Sequence, residues 1–77
     1  MMDIKVLGTG CAKCRATVDL IEKIAAETGA EIALEKVEEM RAIVGYGVMS
    51  TPAVVIDGKV VHKGSVPAAE MVRGWLA

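Results

Sequence analysis

Residues 53–61 read AVVIDGKVV, an unbroken apolar run that stops at Asp57-Gly58 and resumes with Val60 and Val61. Four apolar residues in succession leave no polar face, so a strand made of them must be covered on both sides. Asp-Gly suits a two-residue hairpin, whose central residues both need left-handed backbone. The segment therefore predicts a central strand over 53–56 that returns through Val60 and Val61 as an edge strand. A sheet with such a strand needs a layer on each face, and the chain has 77 residues with which to build both.

The flanking sequence supplies the layers. DIKVLG sets Ile4 and Val6 against Lys5 and Leu7, the alternation of a first strand, and ends at Gly8. Residues 11–28 follow a helical period, with Cys14, Val18, Ile21 and Ala25 on one stripe and Leu20 and Ile24 widening it. Gly29 is placed to cap that helix. EIALEKV predicts a second strand with Ile32 and Leu34 on one face. Residues 38–44 predict a short helix with acids in its first turn and Gly45 at its end. Ser65 and Pro67 are placed to open a last helix along Ala68, Met71, Val72 and Trp75. The order is β-α-β-α-β-β-α, an α/β domain over 1–77 with a four-stranded mixed sheet and helices on both faces. With no Phe, one Trp and one Tyr, the core must be aliphatic, and Met40, Met49 and Met71 are expected to fill its gaps.

Composition excludes several functions. Net charge is −1 with acids and bases interspersed, so nucleic acid is not an expected partner. No apolar run approaches the roughly 20 residues of a membrane span. MMDIKVLG carries an acid and enters an alternating pattern at once, unlike a secretory leader. The expectation is a cytoplasmic monomer. In that reducing compartment two cysteines close in sequence are more often catalytic or metal-binding than structural.

Both cysteines lie in GTGCAKC, residues 8–14. On a helix, residues three apart have Cβ atoms about 5–6 Å apart, and a disulfide needs roughly 3.5–4.5 Å, so a slightly tightened first turn could join them. The same spacing suits two thiolates clamping Zn or Cu(I), and spacing alone leaves both open. Position adds that Cys11 falls at the predicted helix cap, where unpaired N–H groups, the helix dipole and the charges of Lys13 and Arg15 all favour a thiolate. Cys14, one turn in and on the apolar stripe, is expected to be the more buried and less reactive thiol. Cys11 is thus cast as attacking thiolate and Cys14 as resolving thiol.

CxxC after strand one, YGVMSTPAVVIDGKVV with its Thr51-Pro52 before a buried strand, and GSVP after the hairpin together resemble the thioredoxin and glutaredoxin superfamily in its short, glutaredoxin-like form. The resemblance implies a minimal thioredoxin-like fold and a thiol–disulfide oxidoreductase whose only redox group is the Cys11–Cys14 disulfide. It implies a cis Thr51–Pro52 bond facing Cys11, against a base rate of about 5–6% for X-Pro. It also implies that Thr51 pairs through its backbone with an extended substrate, Gly10, Lys13 and Tyr46 standing nearby. Tyr46 is read equally as a wall of the substrate groove or an anchor of its loop. Partners would be protein disulfides and a disulfide reductase as electron donor. Ala12-Lys13 between the cysteines and Gly10 before them depart from the larger relatives. Val66 after Gly64-Ser65 stands where an acid would hold the glutathione amine, so glutathione use is not supported.

The rival is a small metal-binding module. GTGCAKC is similar to the GMTCxxC loop of copper-carrying domains, but Thr9 stands where those have Met, and the predicted element order differs. His62 is a conceivable third ligand, although a histidine at a strand end is more often simply exposed.

Overall fold

The computed structural model describes residues 1–10 and 12–77; Cys11 lies outside the described residues. The elements are β1 (Met2–Leu7), α1 (Ala12–Thr28), β2 (Ile32–Val37), α2 (Met40–Gly45), β3 (Ala53–Ile56), β4 (Lys59–Lys63) and α3 (Ala69–Leu76). The strands form one sheet in the order β2-β1-β3-β4. A helical crossover returns β2 parallel to β1, and β3 runs antiparallel to both β1 and β4. Asp57 and Gly58 both take positive φ, as the hairpin requires. The turn is tied to β1 from both sides: Asp57 donates its N–H to the Asp3 carbonyl, and Asp3 donates its own to the Asp57 carboxylate.

Alternation along β1 and β3 divides the interior in two. Ile4, Val6 and Val54 pack with Val18, Ile21, Ile24 and Ala25 of α1 and with Val72 and Leu76 of α3. Leu7, Ala53 and Val55 face the other way, onto Ile43 of α2 and Val48 of the following loop. Thus β3 is buried on both faces, as its unbroken apolar run predicts. Lys5 shares the α2 face but lies beyond that short helix; its ammonium pairs with Asp3 at 3.1 Å and reaches Glu35 at 4.0 Å. The hydrogen bond that the Lys5 ammonium donates to the Asp3 carboxylate is the first cause that holds Lys5 above its ordinary pKa. Its contribution to stability is therefore present at neutral pH and lost only as an alkaline solution passes that raised value. Gly29 at positive φ ends α1, and Ala30 donates back to the Ala25 carbonyl, a six-to-one helix stop.

Three expectations are corrected. The last helix starts at Ala69 rather than at Ser65 and Pro67, because the Ser65 hydroxyl is bonded to the His62 ring instead of capping, and the N-cap position falls to Ala68. Its apolar stripe consequently runs through Ala69, Val72, Trp75 and Leu76, leaving Met71 exposed. The second helix begins at Met40, so Glu38 and Glu39 precede its first turn, and Glu39 caps through its carbonyl, which accepts from Ile43. Met40 and Met49 are exposed by 61% and 97%, so the methionines do not fill the core. Branched aliphatics fill it without them.

With no aromatic ring in either buried cluster, the energy of the fold rests on aliphatic fit. Ile21→Ala, which empties a fully buried site under α1, is expected to lower the unfolding free energy by about 2–5 kcal/mol. Met49→Ala is expected to change it by no more than about 0.5 kcal/mol. Urea denaturation of the two variants checks both.

Candidate functional site

The site lies where β1 ends and α1 begins. Gly8 continues the β1–β2 ladder by one bond, donating its N–H to the Val37 carbonyl at 2.9 Å. A Cβ built on Gly8 would collide with Sγ of Cys14 and would lie 3.8 Å from Cβ of Thr51. The end of β1, the first turn of α1 and the distant Thr51 loop therefore meet at a position with no room for a side chain. Cys14 is only 6% exposed, on the buried stripe of α1, as its place in the helical period predicts. The first turn of α1 carries Lys13 and Arg15 and no acid. At the positive end of a helix that arrangement opposes the dipole with two cations and favours a neighbouring anion.

Across from Cys14, the Thr51–Pro52 bond is cis. Pro52 is fully buried, and its carbonyl accepts a hydrogen bond from Gly64 at 2.9 Å, which pins this loop to the end of β4. Thr51 is exposed, and among the described residues no hydrogen bond engages its backbone. Next to Thr51 opens a groove of ≈ 270 Å³ floored by Ile43 and Val48 and lipped by Met40, Val44 and Met49, with Thr9 at its near end. A second cleft, of ≈ 390 Å³, opens on the other side of Thr9, between β1, β2 and α1, and reaches Cys14.

Of the residues singled out from sequence, Cys14, Gly10 and Thr51 border this region. Gly10, at positive φ, lines the second cleft with Cys14. Lys13 is exposed on α1, its carbonyl accepting from the buried Thr17 hydroxyl at 2.8 Å. Tyr46 packs, half-buried, on the cluster of Leu7, Ile43 and Val48, the place of a loop anchor. The role assigned to Cys11 falls outside the described residues. His62 lies half-buried, its Nε2 3.0 Å from the Ser65 hydroxyl and its ring 6.3 Å from that of Trp75. The sequence reading missed Gly8, which it took only as the end of a strand, and missed the exposed apolar lip. No local signal marks either, since both arise from segments that meet only on folding.

A four-stranded mixed sheet between helices, with a cysteine at the start of the first helix beside a cis-proline loop, defines a thioredoxin-like domain. The chain belongs to the thioredoxin domain family, whose model matches residues 2–77. It is 33% identical over 73 residues to a thioredoxin of Methanocaldococcus jannaschii, a match that covers 95% of this chain and 84% of that protein. It is 32% identical over 77 residues, the full length of both chains, to a thioredoxin of Methanothermobacter thermautotrophicus. In fold it is similar to a malaria-parasite thioredoxin-2, described as a component of the parasite's protein secretion machinery. The TM-score is 0.72 at 15% identity, over 97% of this chain and 80% of that one.

The Gly8 contact makes a test by substitution direct. Gly8→Ala has no forbidden backbone to blame, only the overlap with Cys14, and is expected to cost about 1–3 kcal/mol through overpacking. Gly74→Ala, within α3 and with open space around it, is expected to stabilise by roughly 0.5–1 kcal/mol. Parallel denaturation curves separate the two.

Proposed function

We propose that this protein is a thiol–disulfide oxidoreductase that works through a Cys11–Cys14 dithiol and acts on protein disulfides, with a disulfide reductase as its electron donor. The observation that carries the reading is the meeting of Cys14, Gly8 and the cis Thr51–Pro52 loop at the start of α1. Family membership supports the same class of reaction.

In this reading the Cys11 thiolate attacks a substrate disulfide, one substrate sulfur leaves as a thiolate, and a mixed disulfide forms. Cys14 then loses its proton and attacks Cys11, which releases the second substrate thiolate and leaves the oxidised pair. The substrate's two sulfurs gain two electrons and the protein's two sulfurs give them up. Burial of Cys14 keeps the resolving thiol from competing for external partners. The N–H and carbonyl of Thr51, which no hydrogen bond among the described residues engages, hold the substrate as an added strand.

A redox titration in thiol–disulfide buffers, with alkylated cysteines counted by mass, tests the pair. A reversible two-electron couple between about −270 and −120 mV is the expected result. Thiols blocked until a chelator is added would favour a Cu(I)- or Zn-carrying module in its place. Cys14→Ser is expected to accumulate mixed disulfides with protein substrates, cleaved by dithiothreitol, and to lose turnover. Rapid alkylation at neutral pH that reached Cys14 ahead of Cys11 would reverse the assignment of roles.

A further inference from the structure

The two openings at the site differ in chemistry. The cleft on the β2 side carries Arg15, Lys36 and Glu38. The groove beside Thr51 has no charged residue among those described around it: Ile43 and Val48 floor it, and Met40, Val44 and Met49 form its lip. Thr51 belongs to the groove and also has a backbone that no hydrogen bond among the described residues engages. A strand laid on that backbone turns alternate side chains to one face, so a single added segment can pair with Thr51 and place a side chain in the groove. At ≈ 270 Å³ the groove falls below the roughly 300–1,000 Å³ of small-molecule pockets and suits a side chain rather than a whole ligand. Its lip is also where the chain exposes thioethers: Met49 is 97% and Met40 61% exposed, and neither fills the core. Met71 stands apart on α3, which packs on the opposite face of the sheet. An unbranched thioether adapts to side chains of varied shape, and an exposed one is open to oxidation.

We propose that the groove receives an apolar side chain neighbouring the cysteine of a protein substrate, and that oxidation of Met40 and Met49 to sulfoxides shuts such substrates out. The proposal rests on the exchange reading above and adds to it a substrate class and a control. Hydrogen peroxide delivers an oxygen atom to the thioether: its O–O bond breaks, an S–O bond forms and water departs. The sulfur loses two electrons and the peroxide gains them. The new sulfoxide oxygen is hydrated. An apolar side chain entering the groove must strip that water, and the aliphatic side chains around the lip offer no hydrogen bond in return. Cys11 and Cys14 take no part in the modification, so the thiol chemistry itself is untouched.

The test uses two short peptides, each with one cysteine held as a mixed disulfide with thionitrobenzoate and flanked by leucines in one and by serines in the other. Release of thionitrobenzoate by the reduced protein is followed below saturation, and each rate is divided by that with 2-mercaptoethanol to remove intrinsic reactivity. The leucine peptide is expected to react about three- to tenfold faster, the return on burying one or two methylene groups. The protein is then oxidised to its disulfide, treated with hydrogen peroxide until mass spectrometry places an oxygen on Met40 and Met49, and reduced with dithiothreitol to recover the thiols. The preference is expected to disappear while the urea midpoint holds, which separates loss of the groove from loss of the fold. Protein carrying Met40→Leu and Met49→Leu is expected to keep its own ratio through the same treatment, whereas Met71→Leu protein is expected to lose it as the native protein does. Equal rates on the two peptides before oxidation, lip thioethers that resist peroxide, or a preference that survives sulfoxides at both positions would overturn the proposal and leave disulfide exchange intact. A ratio lost from the double variant as well would overturn it by placing the effect elsewhere. If neither peptide released thionitrobenzoate, the exchange reading itself would fall.

Discussion

Cys14 can lie against the end of β1 only because residue 8 has no side chain. That steric permission fixes the depth at which α1 enters the sheet, since the helix and its cysteine move as one body. It also brings the Thr51 loop within van der Waals reach of the same point. The rest of α1 then lays Val18, Ile21 and Ala25 over Ile4 and Val6, so the contact that seats the thiol also sets the register of the larger apolar cluster. A methyl group at this position would act on the packing and on the site at once, because one backbone approach serves both.

The second support is β3. Its four residues alternate between two clusters, and its carboxyl end passes through the Asp57-Gly58 turn into β4, whose far end anchors the Pro52 carbonyl through Gly64. The cis loop is therefore held at both margins by the central hairpin, buried at Pro52 and open at Thr51. The apolar groove beside it exists because α2 is only six residues long. A helix so short covers Leu7 and Val55 with Ile43 but leaves Met40 and Val44 on its outer side, where they form a lip.

Most of the architecture is legible in the sequence because it depends on short-range pattern: the run at 53–56, the Asp-Gly turn and the stripe along α1. What escapes that reading depends on which partner a group finds after folding. Ser65 looks like a helix cap but spends its hydroxyl on His62, and the helix starts four residues later. Met40 and Met49 look like core by residue type, yet the elements beside them are too short to cover them. The site is legible in part. Cys14 and Thr51-Pro52 stand out by spacing and resemblance, whereas the necessity of Gly8 comes from how α1 packs back on the end of β1, and the meeting of Arg15 with Lys36 and Glu38 comes from strands paired across about thirty residues of chain.

The outer edge of β4 bears on how copies of the molecule meet. Its sequence, KVVHK, sets a lysine at each end of an edge strand. If two molecules joined these edges antiparallel in centred register, Lys59 of each would stand opposite Lys63 of the other. Like charges directly opposed across a ladder are destabilising, and here both ends of the new ladder would carry such a pair. A valine-rich strand that would otherwise template fibrous stacking is thus guarded electrostatically, by a protection that weakens as added salt screens it.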